Sequence, residues 1–352
     1  MTNWITRFNA RTTDDVQNAT VQMSATVAKA AEALGFQELN YTSFDHLDDP
    51  NRRQGLIEGW LRPVQPGDLV VIQFPLWEQL AFQAEAIDYL HDMDDVKLIA
   101  IVDAVPTWLY ADDTQPTVRQ TDFWLQQLRK FDLLIVANDK QAQRLRQDDV
   151  TLPMVTTQVR DYPYSGPLQA KRFRKQLNYI SDQAVTGLDY RGATPLTLYN
   201  TTVAETVAKQ ASVQHVTGMT PDYLVATVAD GFGLVNVANI QEASTPNDVR
   251  NQQYDNSLML SRYLAAGMPV VIGGVSAQAA LVQEHHLGIV IHDLNDIDEA
   301  LSQVTADDYQ AMLTAIAPWQ RLMTTNYFTK RALLAAMSQV NLGIDHFLLP
   351  RN

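Results

Sequence analysis

Apolar residues fall into two recurring patterns along this chain: short unbroken runs, and longer stretches with apolar positions three or four apart. The first marks a strand buried on both faces; the second marks an amphipathic helix. Residues 4–8 form a run of the first kind, and 9–13 read as a turn. A helix is predicted from Asp14, where two acids suit its N-terminal end, with Val16, Ala19, Met23, Val27, Ala30 and Leu34 at helical spacing. Gly35 is placed to end it. Strands are predicted at 69–74, 97–102 and 133–137, separated or followed by helices at 77–90, 119–130 and 140–147. This alternation predicts a parallel sheet with helices on both faces.

Two prolines and a glycine within 161–167 mark a linker, and the basic stretch 171–175 after it reads as a solvated face. The alternation then resumes. Strands are predicted at 196–199, 214–216, 233–237, 270–272 and 289–291, with helices at 221–229, 257–266, 277–284 and 298–304. From Asp307 the chain reads as helical, with Pro318 dividing two segments. No repeat of 20–50 residues is visible, so the halves are analogous in architecture rather than copies. The expected fold is α/β, with two Rossmann-like domains facing across a cleft. Residues 1–163 form the first domain and 164–318 the second, and 319–352 form a helical segment packing back on the first. Ligands of such sheets lie beyond the carboxyl ends of the strands.

Length and composition agree with two cores: 352 residues, 46% of them hydrophobic. The formal net charge of −14, with no long basic cluster, speaks against nonspecific nucleic-acid binding. The absence of cysteine removes disulfides, thiolate nucleophiles and zinc ribbons. No apolar run approaches a membrane span and the first residues lack a signal-peptide core, so a cytoplasmic location is expected.

The seven histidines show no metal-binding spacing, and Walker, GxGxxG and GxSxG motifs are missing. Two Asp-x-Asp triplets, Asp92 to Asp94 and Asp296 to Asp298, are candidates for a cation beside a sugar diphosphate. The first precedes a strand rather than following one, and the second suits a helix start, so no metal is expected. More informative is Asp230-Gly231-Phe232-Gly233-Leu234-Val235, followed by Asn256 and Ser257 at a helix start and by Tyr263-Leu264-Ala265-Ala266-Gly267-Met268-Pro269. Glycines let backbone approach a ligand closely, and a helix start offers free N–H groups to an anion. Equally, Asn256 caps a helix and the glycines only end strands.

Further short stretches join these: Trp4-Ile5-Thr6, Val71-Ile72-Gln73-Phe74-Pro75-Leu76-Trp77, Val102-Asp103-Ala104-Val105-Pro106 and Leu287-Gly288. In their order and spacing, over nearly the whole chain, they resemble the bacterial glucosyltransferases that extend N-acetylglucosamine-modified serine-rich-repeat adhesins. That family has a two-domain GT-B fold and is related to galactofuranosyltransferases. The resemblance implies UDP-sugar binding in the C-terminal half, acceptor binding in the N-terminal half, no metal, and assembly into homo-oligomers. The expected activity is transfer of a glucose- or galactofuranose-like sugar from a UDP-sugar to a glycosylated protein or polysaccharide acceptor.

On this reading Tyr199 and Asn200 lie near the nucleotide or sugar, Gly231, Phe232 and Gly233 border the sugar, and Asn256 and Ser257 meet the diphosphate. Asp103 orients or deprotonates the acceptor hydroxyl, or else caps the loop before Pro106. Asn9, Arg11, Gln73 and Trp77 line the acceptor side, although Trp77 reads equally as core. The chain also departs from the family pattern. Met259 stands where a diphosphate-binding lysine is expected, residues 181–185 lack an expected arginine, and Val102 replaces a histidine. Arg250, Arg262 or Arg11 would have to supply the missing charge. A catalytically degenerate homologue that acts as a binding or regulatory partner is the alternative.

Overall fold

The computed structural model describes residues 1–11, 19–45, 47–109, 118–181, 184–199, 202–242 and 252–343. Asp14, Asn200 and Arg250 lie outside the described residues. The chain divides into two units, Met1–Thr157 with Asn326–Asn352, and Gln158–Thr325.

In the first unit the elements run β1 (Asn3–Phe8), α1 (Ala19–Glu32), β2 (Gln37–Tyr41), α2 (Pro50–Leu61), β3 (Leu69–Phe74), α3 (Leu80–His91), β4 (Lys97–Val102), α4 (Pro106–Leu109), α5 (Val118–Leu128), β5 (Leu133–Val136), α6 (Asp139–Gln147) and β6 (Met154–Thr156). The six strands form one parallel sheet in the order β2-β1-β3-β4-β5-β6. The unbroken apolar run of β3 shows why. Val70, Ile72 and Phe74 enter one core while Leu69 and Val71 enter another, because successive side chains of a strand point to opposite faces.

Several elements absent from the sequence expectation, β2 and α2 among them, complete this unit. Asp49 caps α2 by accepting from Asn51 N–H at 2.9 Å, and Pro50 occupies the first helical position. Buried Arg53 then fastens α2 to its surroundings, donating to Leu47 O at 2.6 Å and pairing with Glu85 of α3.

The second unit contains β7 (Arg172–Ile180), β8 (Val185–Leu188), β9 (Leu196–Tyr199), α7 (Glu205–Ala208), β10 (Val213–Val216), α8 (Pro221–Thr227), β11 (Asp230–Val235), β12 (Ile240–Glu242), α9 (Leu258–Ala265), β13 (Val270–Gly273), α10 (Ala279–Glu284), β14 (Gly288–Ile291), α11 (Ile297–Ser302) and α12 (Ala306–Thr324). Its six-stranded parallel sheet has the order β10-β9-β7-β11-β13-β14, and β12 and β8 pair as a separate antiparallel ribbon. Both sheets are therefore wound outward from an internal first strand in the Rossmann manner.

Helix α13 (Tyr327–Leu342) belongs to the first unit. Its Ala332, Leu333 and Ala336 share a core with Ile5, Val71, Ile99 and Leu133.

The basic stretch 171–175 is a solvated face, as expected: its arginines stay exposed at the start of the central strand β7, where Arg172 and Arg174 pair with Asp230. Two expectations are corrected. The boundary expected at 163 lies at 157, so the proline-rich stretch is inside the second unit, where Tyr162 N–H donates to Met323 O. The break expected at Pro318 lies at Asn326: α12 runs through the proline, and the left-handed Asn326 (φ 57°) separates it from α13.

Candidate functional site

In the second unit the strand order reverses between β7 and β11, and the carboxyl edge there is the expected ligand position. Asn236 follows β11 with φ of 49°, a left-handed conformation that asparagine tolerates. Its carbonyl crosses so close to Gly273 that a Cβ on that glycine would come within 2.0 Å of it. The start of α9 is wired to this edge. Ser257 caps the helix, its Oγ accepting from Leu260 N–H, and its own N–H donates to Gln278 Oε1 at 2.8 Å. Asn236 Nδ2 donates to Ser276 Oγ at 3.1 Å, and Gln278 Nε2 donates to Gln158 O at 3.1 Å.

Arg160 reaches the same helix start from the segment before β7. Its Nε donates to Asn256 O at 2.7 Å and its guanidinium pairs with Asp255 at 2.6 Å. Asn256 is buried, with its backbone N–H bound by Asp255 Oδ1, and Ser257 rather than Asn256 is the cap. Helix geometry leaves the N–H groups of Leu258 and Met259 without intrahelical acceptors.

The side-chain positions of the stretch 231–233 are taken up by packing within the second unit. A Cβ on Gly231 would meet Gln176 O at 2.2 Å, and Gly231 sits at a register shift with φ of 74°. Phe232 is fully buried against Tyr309, 5.2 Å between ring centroids. Gly233 makes room for the ring of Tyr263, whose hydroxyl donates to Asn178 O at 2.6 Å. The glycines serve close packing of β7, β11 and α9. Tyr199 ends β9 half-buried, its hydroxyl 3.4 Å from Asn178 Oδ1, and burial raises its pKa.

In the first unit the order reverses between β1 and β3. Asn9, Arg11, Trp77 and Asp103 all follow the carboxyl ends of neighbouring strands there. Asp103 is half-buried and its N–H donates to Phe74 O at 2.8 Å. Trp77 is 41% exposed with φ of 57°, so it is not core. Arg11 pairs with Asp45, and Asn9 Nδ2 donates to Asn40 Oδ1 at 2.8 Å. Gln73 is turned inward instead: its amide donates to Thr6 O at 2.5 Å and Ser24 O at 3.2 Å, binding β1 to β3 and α1.

Glu78, which no sequence motif marked, sits two residues after Leu76. Burial pushes its carboxyl above the usual range against bonds from Phe44 and Ser43 and the charge of Arg11, and its Oε1 has no hydrogen-bond partner.

The Asp-x-Asp triplets serve helices and loops. Asp92 ends α3, and Asp298 accepts from Ala193 N–H, Thr194 N–H and Thr194 Oγ at 2.5–2.8 Å, which holds its carboxyl below the usual range. Among the described residues no three His, Asp or Glu side chains gather as a metal site.

Residues 2–159 match the family model of the glucosyltransferase 3-like N-terminal domain, and residues 177–336 match that of the C-terminal domain. The chain belongs to the glucosyltransferase 3-like family. Glucosyltransferase 3 of Streptococcus gordonii is 26% identical over 319 residues, covering 89% of this chain and 92% of that protein. Among solved structures, the sucrose-phosphate synthase of Thermosynechococcus elongatus shares the fold at a TM-score of 0.62 and 10% identity, over 98% and 100% of the two chains. The UDP-forming α,α-trehalose-phosphate synthase of Burkholderia vietnamiensis does so at 0.55 and 10% identity, over 96% and 99%. The α/β architecture is therefore that of GT-B glycosyltransferases.

Against the family pattern, Met259 lies half-buried, its sulfur 3.8 Å from a guanidinium nitrogen of Arg262. Arg262 itself is buried, with its guanidinium 6.0 Å from the Tyr162 ring centroid. Arg11 is paired within the other unit. Among the described residues Arg160 brings a cation to the start of α9, and the sequence reading missed it because it stands just before the proline-rich stretch without a motif.

Proposed function

We propose that this chain transfers a glucose- or galactofuranose-like sugar from a UDP-sugar to a glycosylated protein or polysaccharide acceptor, without a metal cofactor. The observation that carries the reading is the match of both halves to the glucosyltransferase 3-like models, with a capped, prearranged α9 start at the switch point of the second unit. The UDP-forming relative in the same fold supports the nucleotide. The diphosphate is assigned to the N–H groups of Leu258 and Met259, with Arg160 as its cation and Ser257 fixing the helix start. Tyr199 and Asn200 are assigned to the nucleotide or sugar side.

Asp103 is assigned to the acceptor hydroxyl. That oxygen forms the new bond to the anomeric carbon, the bond from carbon to UDP breaks, UDP leaves with the electron pair, and Asp103 takes the hydroxyl proton. Asn9, Arg11 and Trp77 are assigned to the acceptor, whereas Gln73 holds strands together. Among the described residues no helix is long and apolar enough to cross a membrane. A cytoplasmic homo-oligomer is the proposed working form.

Met259 favours a second reading, a degenerate homologue that binds glycan or a partner transferase without turnover. A release assay for UDP, run over a panel of UDP-sugars and glycosylated acceptors with and without EDTA, separates the two. Acceptor-dependent UDP release that ignores EDTA supports the transferase, and silence across the panel supports the second reading.

A further inference from the structure

Beside the carboxyl ends of β1 and β2, an open pocket of about 420 Å³ is lined by Asn9, Asn40, Thr42, Gly55, Gly59 and Trp60, among others. Its walls carry no charged side chain, which disfavours a nucleotide or phosphate as occupant. Asn9 Nδ2 donates to Asn40 Oδ1, which leaves Asn9 Oδ1 as an acceptor and Asn40 Nδ2 as a donor at the rim. Behind the rim Trp60 is held by aromatic neighbours, with Tyr41 at 5.0 Å and Phe82 stacked at 6.0 Å between ring centroids. Its indole N–H has no hydrogen-bond partner. A fixed aromatic wall next to paired amide groups is the chemistry that receives a neutral ring with an apolar face and hydroxyl edges.

The glycines give an independent reason. Gly55 and Gly59 stand one turn apart on α2, hence on one face. Glycine inside a helix is disfavoured against alanine, and neither position requires it sterically: a Cβ there would meet nothing within 4 Å. Both are exposed and both line the pocket. Two helix-weakening residues with empty space above them keep that space open for something outside the fold.

We infer that this pocket is a carbohydrate subsite that holds a sugar ring of the acceptor other than the one being extended. The inference rests on the transferase reading for the word acceptor, but the binding of a neutral sugar can be tested without it. The probes are glucose, N-acetylglucosamine and maltose, titrated into full-length protein labelled at the tryptophan indoles, with the Trp60 resonance assigned through Trp60→Phe. The Trp60 signal is expected to move saturably with at least one sugar. The pair Gly55→Gln and Gly59→Gln, which fills the pocket with good helix formers, is expected to weaken that binding about tenfold. UDP-sugar binding by the same pair is expected to match wild type. If the glutamine pair fails to fold, Asn40→Ala removes one rim partner and is expected to weaken sugar binding about fivefold.

A Trp60 signal unmoved by all three sugars, or binding undiminished in a folded glutamine pair and in Asn40→Ala, overturns the subsite. Saturable sugar binding at Trp60 in a protein that binds no UDP-sugar keeps the subsite and removes the transferase reading. UDP-sugar turnover with Trp60 unmoved does the reverse.

Discussion

The start of α9 in the second unit and the pocket beside α2 in the first differ in how much of their polar chemistry is already engaged. Around α9, Ser257, Asn236, Ser276, Gln278, Arg160 and Asp255 bond one another, and the glycines nearby are filled by neighbouring backbone or rings. Around α2, the one bond between Asn9 and Asn40 leaves Asn9 Oδ1 and Asn40 Nδ2 at the pocket rim, and two glycines face empty space. A charged diphosphate favours donors fixed before it arrives, since reorganising them would weaken every charge-assisted bond. A neutral ring gains from shape and contact area, so the protein leaves room. The same residue type, glycine, therefore serves closure in one unit and vacancy in the other.

The largest expected effect lies outside both regions. Asp103→Ala should lower kcat about 100- to 10,000-fold, with UDP-sugar affinity unchanged, if it accepts the hydroxyl proton. Steady-state kinetics with both substrates varied would check it, and an unaltered kcat would return Asp103 to a loop-capping role.

On the closed side of the comparison, Gly233→Ala drives a Cβ to 2.2 Å from the Tyr263 ring. A loss of about 3 kcal/mol in denaturant melts is expected, an overpacking cost in a filled core. Arg160→Ala should be milder, leaving Asp255 without its ion-pair partner at about 1–3 kcal/mol, and should weaken UDP binding about tenfold. A change in stability without a change in UDP affinity would make Arg160 structural only. On the open side, Gly55→Ala or Gly59→Ala should raise stability by about 0.5–1 kcal/mol each, since nothing opposes the methyl group. Destabilisation would mean the space is not empty.

The smallest effect concerns pH. Bonds from Thr194 and Ala193 depress the Asp298 pKa in the folded state. Its contribution is therefore complete above the usual carboxylate range and is lost as pH falls through the depressed folded value. Asp298→Asn should flatten the acid limb of a stability-against-pH curve, and an unchanged limb would contradict that assignment.

The sequence made the buried strands legible because each is an unbroken apolar run, as in Leu69–Phe74 and Leu133–Val136. Edge strand β2 was not, since Gln37–Tyr41 mixes exposed polar positions with a few buried ones. Helix α2 was hidden by its own glycines and by a polar first half, and it is the element that shapes the pocket. Strand β7 was masked by the basic residues of its exposed first half. At 231–233 the residue types suit both ligand approach and close packing. Only the positions of Gln176 and Tyr263, both distant in the chain, decide for packing. Asp103 was legible as the residue that follows the apolar run 97–102, whereas Trp77, expected to open a helix or to enter the core, is exposed in the turn after β3.

The measurement that bears most directly on the central claim is calorimetric titration of the purified chain with UDP and a panel of UDP-sugars, with and without EDTA. The account predicts micromolar binding that EDTA leaves unchanged and that Arg160→Ala weakens. Binding abolished by EDTA would contradict the metal-independent site, and no heat at millimolar ligand would contradict the donor site altogether.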